Sequence, residues 1–529
     1  TTTGKPRIDL DPERYVLDYA EETSDKGGGV ATSPTSASED GSSEPPLPPE
    51  PPTIYTDNTF VDPGESPFVS VDDQPKSTFG LDVDTGSFSV GRTFLAEGTL
   101  PPPESVRTEE WVNALGSDQP APTDGELGVA VTGARWDLGQ QGSHLLRVGV
   151  AAQDLSAEDR PAANLTFVVD TSGSMDIRER LGLVKASLGL LVLNLRDDDT
   201  ISIVEYSDDA GVILEPTPVR DAQRVVDAID ELQPSNSTNL EAGLREGYEQ
   251  AEKAYRPDTI NAVILASDGV ANVGLTDPDG LAGVIQDRAA DGIHLVTVGY
   301  GMGNYNDDLM EQVADKGDGF YAYLDTYEQA ENLFRDRLTS TLAVVAGDAK
   351  AQVTFDPGLV QSYRLIGYEN RALDTEDFDD ETVDAGEVGA GHRVTALYEV
   401  VLPDFGTAPP DDKAVGTAAV RYRSASSGQI VTTDAPITYG DISGSFDDAP
   451  ADFRFQAATA AFAEWLGEPS SSDEGEGRLP GIRVVAEAAA AELPEAGLPG
   501  SALTPDEMVD LMVEADGAPP APEEPEYHE

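Results

Sequence analysis

Leu165-Thr166-Phe167-Val168-Val169-Asp170-Thr171-Ser172-Gly173-Ser174-Met175 is the stretch on which the fold turns. Its first five residues are apolar or β-branched without a polar partner face, the signature of a strand buried on both sides. That run leads directly into a small polar turn, so the strand ends at a candidate site. The turn gathers one carboxylate, Asp170, and two hydroxyls, Ser172 and Ser174, while Gly173 lets the backbone curl until several oxygens face one point. Hard, oxygen-only donors of this kind suit Mg²⁺ or another small divalent cation better than zinc or copper. The same residues also suit a plain serine-rich helix N-cap.

Two later stretches bear on that choice. Ser237-Thr238-Asn239 lies between two helical patterns and offers a further hydroxyl, and Ile264-Leu265-Ala266-Ser267-Asp268-Gly269 repeats the arrangement of apolar strand followed by Asp. Parallel strands deliver their carboxyl ends to one edge of an α/β sheet, where ligands bind. Asp170, Ser172, Ser174, Thr238 and Asp268 could thus converge on one ion. Around them the pattern alternates, with strands expected at 164–169, 200–206, 211–214, 260–267, 293–299 and 319–324. Helices are expected at 177–195, 220–232, 239–255, 277–290, 305–315 and 326–341. Such alternation predicts a doubly wound, mostly parallel sheet. The second and third strands are too close for a helical crossover, which makes them a hairpin with one antiparallel edge strand.

Asp-x-Ser-x-Ser, a loop Thr and a strand-end Asp-Gly together resemble the metal-ion-dependent adhesion site of von Willebrand factor type A domains. The resemblance implies Mg²⁺ (or Mn²⁺/Ca²⁺) contacted by Ser172, Ser174 and Thr238, with Asp170 and Asp268 often acting through water, and Thr171 and Asn239 as neighbours. It further implies a partner protein whose exposed Asp or Glu completes the coordination of the ion. The flanks resemble the bacterial YfbK-like family of type A proteins. This second resemblance rests on Pro67-Phe68-Val69-Ser70-Val71, Asp82-Val83-Asp84-Thr85 and Leu100-Pro101-Pro102-Pro103 before the domain. Behind it, the matching stretches are Tyr363-Arg364-Leu365-Ile366-Gly367-Tyr368-Glu369-Asn370-Arg371, Asp384-Ala385-Gly386-Glu387 and the run from Gly389 to Glu399.

The chain has 529 residues, with 99 Asp and Glu against 33 Lys and Arg, for a formal charge of −66. Nucleic acid and anionic membrane would both repel it, so neither is expected as a partner. The acidity resembles that of proteins from salt-loving organisms, though acidic linkers alone would also produce it. With no cysteine, disulfides, thiolate metal sites and cysteine nucleophiles are excluded. No apolar run approaches the roughly 20 residues of a membrane-spanning helix. Thr1-Thr2-Thr3-Gly4-Lys5 has no signal-peptide pattern and no initiating Met, as expected of a processed or trimmed chain.

In order, the expected organisation begins with a Pro/Ser/Gly-rich leader or stalk over 1–57, carrying one short helix from Leu10 to Tyr19. A β-rich flank over 58–162, the type A domain over 163–342 and a second β-rich region over 343–445 follow. The two β-rich stretches are expected to build one sandwich, since neither is sufficient alone. A helical region over 446–517 contains an amphipathic helix from Phe453 to Leu466 and an acidic linker at 468–477, and the tail 518–529 is expected to be disordered. The predicted fold is therefore α/β: a Rossmann-like type A sheet inserted in a β-rich, sandwich-like scaffold, with C-terminal helices.

Enzymatic readings are weaker. Asp84-Thr85-Gly86-Ser87, set in a run that alternates like a strand from Ser77 to Phe88, matches an aspartic-protease turn, but no second such turn supplies the second carboxylate. Gly299-Tyr300-Gly301-Met302-Gly303-Asn304 lacks the Lys-Ser/Thr of a phosphate-binding loop. A metal-dependent hydrolase would need a base, and His144, His294 and His392 show no catalytic set. Trp111 and Trp136 fit core anchors. The leading expectation is a non-enzymatic, metal-dependent adhesion module at the cell surface or outside the cell, with self-assembly possible and the acidic tail a candidate occupant of the site. The alternative is a metal-independent structural subunit of a surface or filamentous assembly.

Overall fold

The computed structural model describes residues 8–19, 60–61, 64, 66–81, 84–235, 237–268, 278–301, 307–381, 383, 385–468 and 478–521. The Pro run from Pro45 to Pro52, Asp82-Val83, Gly269, Met302-Gly303-Asn304, residues 469–477 of the acidic linker and the tail from Pro522 lie outside the described residues.

Strand Ala163–Asp170 is buried at all eight positions because it runs through the middle of a six-stranded sheet. The spatial order is Tyr321–Leu324, His294–Tyr300, Ile260–Ser267, Ala163–Asp170, Thr200–Tyr206, Ala210–Pro218. All neighbours are parallel except the last pair, which is antiparallel. The pleat sends successive side chains to opposite faces. Phe167 and Val169 join a core with Leu188, Leu191 and Ile229, whereas Val168 joins Leu244, Tyr248 and Ile285. An apolar run without alternation is thus explained by helices on both faces.

Two antiparallel sheets form the scaffold. One runs Val69–Ser70, Ser362–Ile366, Arg393–Val401, His144–Ala152, Leu127–Arg135; the other runs Ala372–Leu373, Lys76–Gly80, Val344–Phe355, Ala414–Ser424, Ile430–Thr438. Their facing sides share one core, in which Phe355 of the second sheet lies 4.8 Å from Tyr363 and 5.7 Å from Tyr398 of the first. Segments before and after the parallel sheet are interleaved: Phe79 pairs with Ala351, and Val148 with Ala396. The α/β unit is therefore an insertion in a sandwich that the chain closes on its return.

Helices Gly86–Ala96, Thr108–Asn113, Ala451–Gly467, Leu479–Ala490 and Pro505–Glu514 pack on the scaffold around a separate cluster. Trp111, fully buried, meets Phe88 at 5.3 Å and Phe462 at 5.6 Å, edge to face. The expected strand from Ser77 to Phe88 ends instead at Gly80, and Gly86 opens a helix. The reason is tertiary. Ser87 N–H donates to buried Glu110 at 2.8 Å, and a Cβ on Gly86 would collide with the Tyr321 ring.

Within the leader, residues 8–19 lie against the α/β unit. Tyr15 is buried there and its hydroxyl donates to Asp230 at 2.8 Å, while Gly189 leaves room for Leu10 and Pro12. No helix among the described residues is long and apolar enough to cross a membrane.

Candidate functional site

The carboxyl edge of the parallel sheet is built by two strand ends and the turn after the first. Asp170, fully buried, accepts from the Ser172 N–H at 2.8 Å, from Ser267 Oγ at 2.9 Å and from Tyr206 Oη at 3.2 Å. Ser172 and Ser174 place their hydroxyl oxygens 3.0 Å apart. Buried Met175, whose N–H donates to Ser172 O at 3.0 Å, pins this turn. Thr238 is buried on a loop tied to the same edge, because Asn239 N–H donates to Ser207 O at 2.7 Å and Ser235 N–H donates to Thr171 O. Asn239 itself caps helix Leu240–Ala254 by accepting from Ala242 N–H. Thr171 bonds back to Tyr206 O.

The residue that completes the cluster is Arg180. It sits in a wide π turn, Arg178–Gly182, that precedes helix Leu183–Asn194. Its Nη1 donates to Asp268 Oδ2 at 2.8 Å and to Ser174 O at 2.7 Å, and both members of the ion pair are buried. One signal in the sequence could have found it: a cation at the start of a helix works against the helix dipole and so needs a compensating partner.

Burial, and next the neighbouring Asp268 charge, push the Asp170 carboxyl up to about 6. An acid whose folded pKa is raised takes up a proton on folding at intermediate pH. Its contribution to stability is thus complete below its unfolded value near 4 and is lost as pH rises through about 6. Asp170→Asn, which keeps an acceptor for Ser172 N–H and removes the charge, should raise the denaturation midpoint at pH 8 and leave it unchanged at pH 4. Equal shifts at both pH values would show that the carboxylate charge is not what burial penalises.

A doubly wound sheet with one antiparallel edge strand and Asp170-x-Ser172-x-Ser174 at its carboxyl edge is a von Willebrand factor type A domain, and the family model of that description matches residues 164–336. A model described as von Willebrand factor matches 54–141, and one described as "Uncharacterized protein YfbK, C-terminal" matches 340–496. The chain is 38% identical over 427 residues to "Uncharacterized protein YfbK" of Escherichia coli (strain K12), covering 76% of this chain and 73% of that one. It belongs to the YfbK family of type A proteins. A Synechocystis protein is 26% identical over 300 residues, 55% of this chain and 70% of that one. Among solved structures, a von Willebrand factor type A protein from Catenulispora acidiphila is 15% identical with a TM-score of 0.42, covering 74% of this chain and 96% of that one. Membership of the type A family places the chain among non-catalytic adhesion and interaction modules.

The expectation of a metal centre is corrected. Among the described residues no group of three or more His, Cys, Asp or Glu is placed to hold a metal ion. At the sheet edge Asp170 is engaged by three donors and Asp268 by a guanidinium. Arg180 brings its positive charge to Asp268 and to Ser174 O, within the set Asp170, Ser172, Ser174, Thr238 and Asp268 at which Mg²⁺, Mn²⁺ or Ca²⁺ was expected. The adhesion mechanism through a bound cation falls with it, and so does a partner recognised by an exposed Asp or Glu on that ion. The tail from Pro522, offered as an internal occupant, lies outside the described residues, although residues just before it are tied down by Leu100 N–H donating to Pro519 O at 2.8 Å. His294 stands at the first residue of its strand, at the sheet end opposite the cluster.

Proposed function

We propose that this chain is a metal-independent protein–protein interaction module that serves as a structural subunit of a cell-surface or filamentous assembly. The observation that carries the reading is the Arg180–Asp268 pair: the edge at which type A domains were expected to use a cation is closed by the chain's own guanidinium. In this reading Asp170, Ser172, Ser174, Thr238 and Asp268 hold the loops of that edge in one shape rather than coordinate an ion. The expected division into a leader, two β-rich flanks, a type A domain and a helical region serves the same purpose, with the sandwich as a rigid frame for the inserted domain. An extracellular or surface setting is part of the proposal. Candidate contacts are Ile177, 40% exposed beside the cluster, and Val212, 38% exposed on the edge strand Ala210–Pro218. Edge strands are ready templates for a second chain.

Sedimentation of the chain over a range of concentrations, with and without EDTA, tests this. Reversible association with the same concentration dependence in both conditions is expected. Association that EDTA abolishes would overturn the metal-independent mechanism, and a monomer at all concentrations would overturn the structural-subunit role.

A further inference from the structure

At the opposite end of the parallel sheet, between the α/β unit and the scaffold, lies a cavity of about 520 Å³, within the range of roughly 300–1,000 Å³ typical of small-molecule sites. Four arginines, Arg160, Arg196, Arg335 and Arg337, line it with two aspartates, Asp154 and Asp336. In a chain with 33 basic residues against 99 acidic ones, such a gathering of cations is a strong local departure. Three of the arginines are accounted for. Arg160 clasps Asp199 through both guanidinium nitrogens at 2.6 and 3.2 Å; Arg196 donates to Arg160 O at 2.6 Å and faces Asp198; Arg335 pairs with Glu331 and Asp336.

Arg337 differs. No carboxylate of the described residues pairs with it, and burial alone pulls its pKa below the usual range, though a guanidinium remains charged there. Next to it His392, 8% exposed, keeps its Nδ1 buried without a hydrogen-bond partner. Burial, followed by the charges of Arg337 and Arg393, holds this imidazole neutral, at a pKa of about 3. Ser340, from helix Leu338–Leu342, and the Ala390-Gly391 turn complete the wall. A half-buried guanidinium without a carboxylate partner, set beside a buried imidazole nitrogen that has no hydrogen-bond partner, leaves polar groups in the cavity that an anion would answer.

We propose that this cavity binds a small oxyanion bearing a carboxylate or phosphate group, with Arg337 as its recognising fork and His392 Nδ1 and the Ser340 hydroxyl as further polar partners. The planar fork of a guanidinium matches either group through two parallel hydrogen bonds. The site is independent of the assembly reading and of the Asp170 cluster.

Calorimetric titration of the full chain with inorganic phosphate, and separately with succinate, tests it at about 0.15 M sodium chloride, where diffuse ion effects are screened. One saturable site for at least one anion is expected, and the anion that binds names the ligand class. Arg337→Gln should weaken that binding by about tenfold or more. Should that variant fail to fold, Ser340→Asp keeps Arg337 but offers it an internal carboxylate, and should weaken binding by about tenfold or more as well. No saturable heat with either anion, or unchanged affinity in a folded variant, would overturn the proposal.

Discussion

Arg180→Met is expected to cost on the order of 3–5 kcal/mol, because it removes the guanidinium from a buried pair and leaves Asp268 charged inside the protein. Asp268 is fully buried and Arg180 nearly so, which separates this pair from exposed ones such as Arg245–Glu241, for which roughly 0–1 kcal/mol is typical. The loss should be read by far-UV circular dichroism in urea. All three tryptophans, Trp111, Trp136 and Trp465, lie outside the inserted domain and report on the scaffold instead. Arg180→Lys retains a charge but loses the fork that reaches both Asp268 and Ser174 O, and should fall between wild type and Arg180→Met. If Arg180→Met unfolds at the wild-type midpoint, the pair does not close the sheet edge and the proposed function loses its main support.

Trp111→Ala should cost about 3–5 kcal/mol, the range for emptying a buried aromatic site. Trp111 joins three segments that are far apart in sequence. Its ring touches Phe88 from helix Gly86–Ala96 and Phe462 from helix Ala451–Gly467, and it fills the space over Gly91, where a Cβ would come within 2.3 Å of it. Little relaxation can refill such a cavity, since its walls belong to two helices, Gly86–Ala96 and Ala451–Gly467, that are each held by other contacts. Urea unfolding followed by the fluorescence of Trp136 and Trp465 measures the effect, with Trp111→Phe expected to recover most of the midpoint. A midpoint unmoved by Trp111→Ala would mean that the helical layer is not cohesive with the scaffold.

The metal expectation failed for an instructive reason. Asp170, Ser172 and Ser174 are within one turn, so their convergence was legible from spacing alone, and Asp268 was legible from the parallel topology. Arg180 lies ten residues beyond Asp170, past a turn whose π geometry no periodicity announces. Whether its side chain points to solvent or folds back to Asp268 depends on where the strand Ile260–Ser267 sits, and that is a long-range fact. Helix Gly86–Ala96 teaches the same lesson. Its first residues, Gly86 to Phe88, end the run from Ser77 that alternates like a strand, and the contacts that override the alternation come from Glu110 and Tyr321.

By itself, the sequence determined the doubly wound sheet, its antiparallel edge strand and the place where its carboxyl ends meet. These follow from local periodicity and short connections, which are written in neighbouring residues. The sandwich shared by the two β-rich flanks was also legible, because neither flank could bury a core alone. Only the tertiary structure decided the rest: the guanidinium closing the Asp170 cluster, the helix at Gly86–Ala96 and the arginine-lined cavity at the other end. Each of these depends on pairs such as Arg180 with Asp268, Ser87 with Glu110 and Arg337 with His392. The chain has to close loops of tens to hundreds of residues before such pairs exist, so local propensity carries no record of them.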